Sequence, residues 1–216
     1  MTRPVQGRAL NVELANFRGQ EVAFRMDRRR YRTTMSLTGV YNFLNAAAAL
    51  AVTRALRPDI EVPSLLESLA RVTPAPGRGE RLVHHGRTVE FVLVKNPPGF
   101  RVALIPTDDK AADTAIMIVV NDRYADGRDT SWLWDVDFSS LREAGVDMVA
   151  GTRADDVALR LQYDCVRVHR VAGALAPAFQ EFLERNTGRP MRIYCTYTAM
   201  VALRTLATKT GLDPER

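Results

Sequence analysis

The chain has 216 residues, of which 46% are hydrophobic and 25% are charged, close to the average of soluble globular proteins. This length suffices for one large domain, or for one domain and part of a second. No run approaches the roughly 20 apolar residues of a membrane span. The start of the chain also lacks the apolar core of a signal peptide, so we expect a cytoplasmic protein.

The net charge of +5 raises the question of a nucleic-acid partner. Most arginines are scattered, and the dense cluster consists of Arg25, Arg28, Arg29, Arg30 and Arg32. No aromatic ladder or known nucleic-acid motif lies beside it. A solvated hairpin is therefore the simpler interpretation, with a patch that binds phosphate backbones as the alternative, and we expect no nucleic-acid partner.

The two cysteines, Cys165 and Cys195, both fall in apolar, β-like segments. Such thiols are expected to be buried and free in a cytoplasmic protein. No C-x-x-C motif and no His/Cys pair has the spacing of zinc ligands, so the sequence predicts no metal site.

Residues 8–35 predict three short antiparallel strands, because apolar and polar residues alternate between turn signals such as Gly19. From Gly39 the pattern changes to that of a helix, which must end before Pro58.

A second helix is predicted over Ser64–Arg71, with Ser64 as its N-cap and Glu67 at the capping-box position. The Pro/Gly-rich residues 73–81 then resemble an interdomain link. We therefore assign residues 1–75 to a fragment of a larger domain, because these few strands and helices would bury too little apolar area alone.

Residues 76–216 alternate between strand and helix signals. The predicted strands cover 89–95, 116–120, 146–150, 166–171 and 191–196. The predicted helices cover 99–106, 137–144, 153–163, 174–187 and 198–209. This alternation predicts an α/β domain with a doubly wound, mostly parallel sheet.

The stretch from Asn121 to Phe138 directly follows the buried run 116–120 and is unusually acidic. It contains both tryptophans and five carboxylates, Asp122, Asp126, Asp129, Asp135 and Asp137. Open α/β sheets bind ligands just past the carboxyl ends of their strands. We therefore expect this loop either to pack against something or to be held in place for chemistry.

Asn42 and Asn45 lie three residues apart, on one face of the first long helix. They either contact a ligand or form local hydrogen bonds within the helix. Arg78 lies between two glycines, where its forked donors could reach a phosphate or simply be solvated in a hinge.

Lys95 and Asn96 end a predicted strand, in a loop at the ligand-binding edge or in a rigid turn set by two prolines. Thr152 is a natural N-cap for the helix 153–163, whose N-terminus could also accept an anion.

The sequence carries no nucleotide P-loop, because nothing in it matches G-x-x-x-x-G-K-[ST]. None of the three histidines, His84, His85 and His169, has an evident nucleophilic partner. A self-contained Ser/His or Cys/His enzyme is therefore not expected.

Taken together, these motifs resemble one family. GVYNFLNAAAALA (39–51) is similar to the helix that follows the ATPase core of Mur peptide ligases, with Tyr41 where most have histidine, and PGRGER resembles their domain-junction arginine motif. LVKNPPGF, NDRYADGRDTSWLWDVDF, GTRADDVALRLQY and YTAMVALRTL resemble the C-terminal domain of the MurT family. The resemblance covers about residues 8–210 and is limited to the C-terminal half of that family.

This resemblance implies a Rossmann-like Mur ligase C-terminal domain preceded by a fragment of the central ATPase domain. It implies a subunit of lipid II isoglutaminyl synthase, which uses ATP and Mg to activate the D-glutamate carboxylate of the lipid II stem peptide. A GatD-like glutaminase partner supplies the ammonia. The family's P-loop, magnesium site and zinc ribbon belong N-terminal to the matched region, so we expect this chain to be inactive alone.

The resemblance also implies roles for individual residues. One aspartate is expected to complete the partner's Cys-His pair, with Asp129 preferred over Asp126 and Asp135. Asn45, beside Asn42, would approach the adenine and Arg78 the phosphates of ATP. Lys95 and Asn96 occupy the place of an acidic residue that meets the ribose in other Mur ligases. The alternative function is a non-catalytic module that only docks a glutaminase or another cell-wall protein, with at most peripheral membrane contact through lipid II.

Overall fold

A computed structural model describes residues 12–74, 78–107 and 113–214. The chain divides into two compact units, residues 1–73 and residues 74–216. Within the described residues, no helix is both long enough and apolar enough to cross a membrane.

The first unit combines an antiparallel sheet with two helices. Its strands are β1 (Val12–Arg18), β2 (Glu21–Met26) and β3 (Arg29–Thr34), paired in the order β1-β2-β3. The helices are α1 (Val40–Leu56) and α2 (Val62–Ala70). The three predicted strands and the long helix that ends before Pro58 are confirmed.

Side-chain alternation in β2 gives this sheet one apolar and one polar face. Val22, Phe24 and Met26 are buried and pack with Phe43 of α1 and Leu66 of α2. The residues between them point the other way, since successive side chains of a strand alternate between faces. The arginine-rich residues of the hairpin therefore lie opposite the helices.

The predicted capping box of the second helix is wrong. The helix begins at Val62, with Glu61 as the extended N-cap and Pro63 in the first turn. Proline suits this position because its fixed φ matches the helix and its missing N–H would have no partner there. Ser64 therefore lies inside the helix, where its backbone carbonyl accepts a hydrogen bond from the Ser68 hydroxyl.

The second unit is built on a seven-stranded sheet, and the prediction of a mostly parallel α/β sheet is confirmed. Its order is β10-β4-β5-β9-β6-β7-β8, in which β5, β9, β6, β7 and β8 are parallel and β4 pairs antiparallel with both β5 and β10. The strands are β4 (Arg78–His84), β5 (Arg87–Leu93), β6 (Ala115–Val119), β7 (Met148–Ala150), β8 (Val171–Ala172), β9 (Met191–Cys195) and β10 (Asp213–Pro214).

Helices cover both faces of this sheet. They are α3 (Pro97–Ala103), α4 (Ala154–Tyr163), α5 (Leu175–Arg185) and α6 (Tyr197–Lys209). On one face Phe179 of α5 and Leu203 of α6 pack with Ile193 of β9. On the other face the Tyr194 ring contacts Phe100 of α3, with ring centroids 5.3 Å apart. The sheet is therefore doubly wound.

The predicted interdomain link over residues 73–81 is partly wrong, because Arg78–His84 forms strand β4. Residues 75–77 lie outside the described part of the chain. β4 pairs with β5 through a turn in which His85 and Gly86 have φ of 47° and 74°. Polar residues and glycine at the start of β4 obscured the strand pattern in the sequence.

Two other predicted elements are shorter than expected. The helix 137–144 is a 3₁₀ turn over Ser139–Leu141, followed by Gly145 with φ of +73°. The strand 166–171 is reduced to an isolated bridge of Val168 with Val146 and to β8, which begins at Val171. A left-handed residue such as Gly145 ends a helix, and this one limits the turn to a few residues.

A buried ion pair joins neighbouring strands of the sheet. Arg192 Nε of β9 donates to Glu90 Oε2 of β5 at 2.7 Å, and their side chains are only 21% and 9% exposed. Burial acts to lower the pKa of Arg192, but the Glu90 carboxylate raises it overall, so the arginine stays charged.

Replacement of Arg192 by glutamine should lower the free energy of unfolding by about 3–5 kcal/mol, because Glu90 would be left buried without its cation. Urea unfolding measures this change. Arg185→Gln is the matched control, since Arg185 pairs with Glu181 at 3.2 Å while 67% exposed. It should cost under about 1 kcal/mol. Equal losses in the two variants would contradict the assignment.

Candidate functional site

The carboxyl edge of the parallel sheet is joined by one buried asparagine. Asn121, immediately after β6, donates its backbone N–H to Thr196 Oγ1 at 3.0 Å. Its side-chain Nδ2 donates to Thr198 Oγ1 at 3.0 Å, and its Oδ1 accepts from the Thr152 N–H at 3.1 Å. One side chain thus fixes the segments that follow β6, β7 and β9.

The residue after β7 must be glycine for this edge to close. Gly151 has φ of +103°, and a Cβ there would lie 2.4 Å from the Val120 carbonyl oxygen and 2.9 Å from Asn121 Oδ1. Neither the backbone angle nor the space admits a side chain. The predicted N-cap at Thr152 is wrong, since the α4 cap is Arg153. The Thr152 hydroxyl instead donates to Asp122 Oδ1 at 2.7 Å.

Asp126 anchors the acidic loop to the first turn of α6. Its Oδ1 accepts the Thr198 N–H at 2.7 Å, and its Oδ2 accepts the Thr198 hydroxyl at 2.6 Å and the Arg123 N–H at 3.2 Å. A carboxylate at a helix N-terminus satisfies backbone donors that lack partners within the helix. Both oxygens of Asp126 are therefore engaged within the chain.

Asp129 differs because its carboxylate is exposed. Oδ1 accepts the Ser131 N–H at 2.8 Å. Hydrogen bonding from the Ser131 side chain and backbone lowers the pKa of Asp129 below its ordinary value. This carboxylate is therefore ionised at neutral pH and oriented by its own loop while it faces solvent.

Asp135 is also exposed, and its backbone carbonyl accepts a hydrogen bond from the Arg101 guanidinium. The other two acids of the loop are used locally. Asp122 bonds Thr152, which lowers its pKa, and Asp137 accepts the Ser139 N–H at 2.9 Å, which lowers its pKa.

The far end of the loop is held by Arg160 and Asp164 of the α4 region. Arg160 Nη2 donates to the Val136 carbonyl at 2.5 Å, and Asp164 Oδ2 accepts the Phe138 N–H at 2.8 Å. The two side chains also form an ion pair at 2.8 Å. Burial acts to raise the pKa of Asp164, but the bonds from Arg160 and Phe138 hold it below its ordinary value.

The two tryptophans have different environments. The Trp134 ring packs edge-on against Tyr163 at 5.3 Å, with the Arg160 guanidinium 5.8 Å from its centroid, and it remains 48% exposed. Trp132 is half-buried near Phe100. Trp134 therefore forms part of an exposed aromatic surface, and Trp132 faces the core.

A shallow depression connects the exposed acid to this aromatic surface. Its walls include Asp129, Ser131, Trp134, Arg153 and Asp156. Charged, hydrogen-bonding and aromatic groups thus meet at one place, as they do where proteins bind one another.

The candidate residues for nucleotide binding lie on different helices and loops, unlike the acids of the loop after β6. Asn42 is buried and donates to the Thr38 carbonyl at 2.7 Å, whereas Asn45 is exposed on α1. Asn96 caps α3 by accepting the Gly99 N–H at 2.8 Å, and Lys95 is exposed beside it. Both Asn42 and Asn96 thus form local hydrogen bonds to backbone groups, Asn42 to the residue before the N-cap of α1 and Asn96 within the first turn of α3.

Arg78 begins strand β4, and its side chain lies outside the described residues. Among the residues that the structure describes, no group of three or more His, Cys, Asp or Glu side chains could hold a metal ion. Sequence reasoning missed Asn121, Thr198, Arg160 and Asp164. Only Asn121 carried a usable signal, because a polar residue directly after a buried strand lies at the ligand-binding edge.

Solved structures identify the fold class. The chain is similar to a pseudomurein peptide ligase type C from Methanothermus fervidus, with a TM-score of 0.65 and 17% identity over 92% of this chain and 42% of that one. It is also similar to the UDP-N-acetylmuramate-alanine ligase MurC from Thermotoga maritima, with a TM-score of 0.67 and 14% identity over 95% and 46% of the two chains. The fold is that of Mur-type ligases.

The family within this class follows from sequence. Residues 93–200 match the model of the MurT ligase C-terminal family, and the chain belongs to this family. The lipid II isoglutaminyl synthase (glutamine-hydrolyzing) subunit MurT of Streptococcus pneumoniae is 30% identical over 90% of this chain and 43% of its own length. The MurT subunit of Staphylococcus aureus strain COL is 32% identical over 62% of this chain and 31% of its own length. The chain thus spans less than half the length of these relatives.

Replacement of Asp164 by asparagine should lower the free energy of unfolding by about 2 kcal/mol near neutral pH, because a charged hydrogen bond to the loop is lost. The folded-state pKa of Asp164 is depressed, so its contribution is present above the unfolded value of about 3.9 and is lost as pH falls below it. Urea unfolding at neutral and acid pH should show the gap between wild type and variant closing in acid. A gap that is independent of pH would contradict this role.

Proposed function

We propose that this chain supplies the C-terminal part of the ligase subunit of an ATP-dependent amidotransferase that converts the D-glutamate of lipid II to D-isoglutamine. The MurT relatives, by name subunits of a glutamine-hydrolysing lipid II isoglutaminyl synthase, support this substrate and reaction. The observation that carries the proposal is the exposed, ionised carboxylate of Asp129 on a loop anchored at both ends.

The reaction divides between two active centres. At the ligase centre, the D-glutamate α-carboxylate attacks the γ-phosphorus of ATP and forms an acyl phosphate with release of ADP. Ammonia from glutamine hydrolysis then attacks the acyl carbon, and phosphate leaves as the amide forms. The glutaminase centre belongs to a GatD-like partner, to which this chain contributes a docking surface and one carboxylate.

A carboxylate that completes a Cys-His pair must be ionised and must accept the imidazole N–H, so that it fixes the tautomer and stabilises the imidazolium. Asp129 meets these requirements, since Oδ1 takes the Ser131 N–H and the group faces solvent. Asp126 is disfavoured because both of its oxygens bond within the chain. Asp135 is exposed and remains the second choice.

Nucleotide binding, by the same proposal, falls partly to this chain. Solved relatives of the fold include MurF from Thermotoga maritima in complex with ADP, with a TM-score of 0.64 and 13% identity over 90% of this chain and 45% of that one. The exposed Asn45 suits an adenine contact, and the exposed Lys95 lies where other Mur ligases carry an acidic residue that meets the ribose. Arg78 is proposed for the phosphates on the family resemblance. Asn42 and Asn96 form hydrogen bonds to nearby backbone groups, so they would contribute to nucleotide binding by holding the neighbouring residues in place.

The alternative is a module that docks the glutaminase without entering its chemistry. The exposed aromatic surface of Trp134 and Tyr163 favours it, because large aromatic side chains are enriched at protein interfaces. In this alternative the loop binds the partner through Trp134, and no carboxylate is required.

Asp129→Asn should reduce the stimulation of glutamine hydrolysis in a GatD-like partner by at least about 100-fold, because an amide does not stabilise the imidazolium. Glutamate release measures the rate, and size-exclusion chromatography measures complex formation, which should persist. Asp113→Asn, at the opposite end of β6 and 80% exposed, is the matched control. Unchanged stimulation by Asp129→Asn would reject Asp129, and the same result for Asp126 and Asp135 would favour the docking module.

A further inference from the structure

The outer face of the β1-β2-β3 sheet carries a net positive charge. The side chains on this face come from Glu13, Asn16, Arg18, Glu21, Ala23, Arg25, Arg30, Arg32 and Thr34. Four arginines and two glutamates leave it with a net charge of +2. All four arginines are exposed. The pairing register, rather than sequence proximity alone, gathers this charge.

The register also places like charges against each other. Arg25 lies directly opposite Arg30 on the neighbouring strand. Like charges in this position repel and destabilise a sheet. Arg25 is balanced by Glu13, at 3.0 Å, but within residues 12–74 neither Arg30 nor Arg32 forms an ion pair. An anion bound over Arg30 and Arg32 would remove this repulsion.

The face is shaped to receive phosphate groups. A depression of about 420 Å³ is lined by Asn16, by three arginines (Arg18, Arg30 and Arg32), by the single acid Glu21 and by other residues of the sheet, so cations outnumber acids in it. Ala23 lies opposite both Asn16 and Arg32 in the pairing register, where its single methyl group leaves room. Guanidinium and amide donors around a small residue match the oxygens of a phosphate.

The hairpin extends the charge beyond this depression. Asp27 and Arg28 form the turn with φ of 48° and 63°, and Arg29 follows at the start of β3. The carboxylate of Asp27 is paired with Arg54 of α1 at 2.5 Å. The acid in the turn is thus neutralised, while Arg28 and Arg29 add exposed positive charge at the edge of the face.

We propose that this face docks on the anionic surface of a lipid bilayer. Exposed arginines spread over one face of a sheet suit the many headgroup phosphates of a bilayer, whereas single-stranded nucleic acid binding requires aromatic side chains for stacking. The aromatic residues of these strands, Phe17, Phe24 and Tyr31, instead pack in the core. The proposed substrate is itself lipid-linked, which also favours membrane contact if the proposed function holds. The charge of the face is independent of that function.

Co-sedimentation of the full chain with vesicles tests this docking. Vesicles of equal parts phosphatidylglycerol and phosphatidylcholine should bind the chain, pure phosphatidylcholine should not, and high salt should release it. Arg30→Gln combined with Arg32→Gln should weaken binding about 25-fold, since each arginine contributes roughly fivefold. Arg30→Lys combined with Arg32→Lys keeps the positive charge, so this variant should still bind the anionic vesicles.

Arg87→Gln with Arg167→Gln is the matched control, because it removes two exposed charges from the second unit. Its binding should fall less than about twofold. Equal losses in both double variants, binding to neutral vesicles, or tighter binding to duplex DNA than to anionic vesicles would overturn the proposal. The glutaminase is absent from this assay, so its outcome is independent of the Asp129 test.

Discussion

The side chain of Asn121 is the interaction on which the candidate site depends. It lies between the ends of three parallel strands. Its Nδ2 donates to Thr198 and its Oδ1 accepts from Thr152, while the Asn121 backbone N–H donates to Thr196. Burying an amide without hydrogen-bond partners costs free energy, so the hydrogen bonds of Asn121 should form together. Gly151 completes the constraint, because any larger residue would displace the Val120 carbonyl and the Asn121 side chain.

From this anchor, the acidic loop gains its shape in two steps. The Thr198 hydroxyl accepts a hydrogen bond from the Asn121 side-chain amide and donates one to Asp126, which fixes the start of the loop on α6. Arg160 and Asp164 fix its end by binding the Val136 carbonyl and the Phe138 N–H, which follow the two tryptophans. Between these two attachments the chain leaves Asp129 in solvent. A rigid loop with an exposed acid is suited to complete another protein's active site, because the order that catalysis needs already exists before binding.

Much of the architecture could be predicted because it depends on local sequence patterns, namely apolar runs and the alternation of strand and helix signals. The buried strand at residues 116–120 is a short apolar run, and the alternation of strands with helices implies the sheet type. The role of Asp126 could not be predicted, since its partner Thr198 lies 72 positions away. The same holds for Asp164, which bonds Phe138 across 26 positions. A carboxylate's sequence neighbours show that it is in a loop, but not whether a distant donor occupies it. Strand β4 was missed for a related reason, because its pairing with β5 and β10, rather than its polar sequence, makes it a strand.

The most direct measurement is site-specific photo-cross-linking of the complex with a GatD-like glutaminase. A benzophenone amino acid at position 129 should cross-link to partner peptides that carry the catalytic cysteine or histidine. The same probe in place of Arg87, which starts β5 at the opposite edge of the sheet, should give no such product. Cross-links from position 129 to peptides remote from that cysteine and histidine, or equal yields from both positions, would contradict the account.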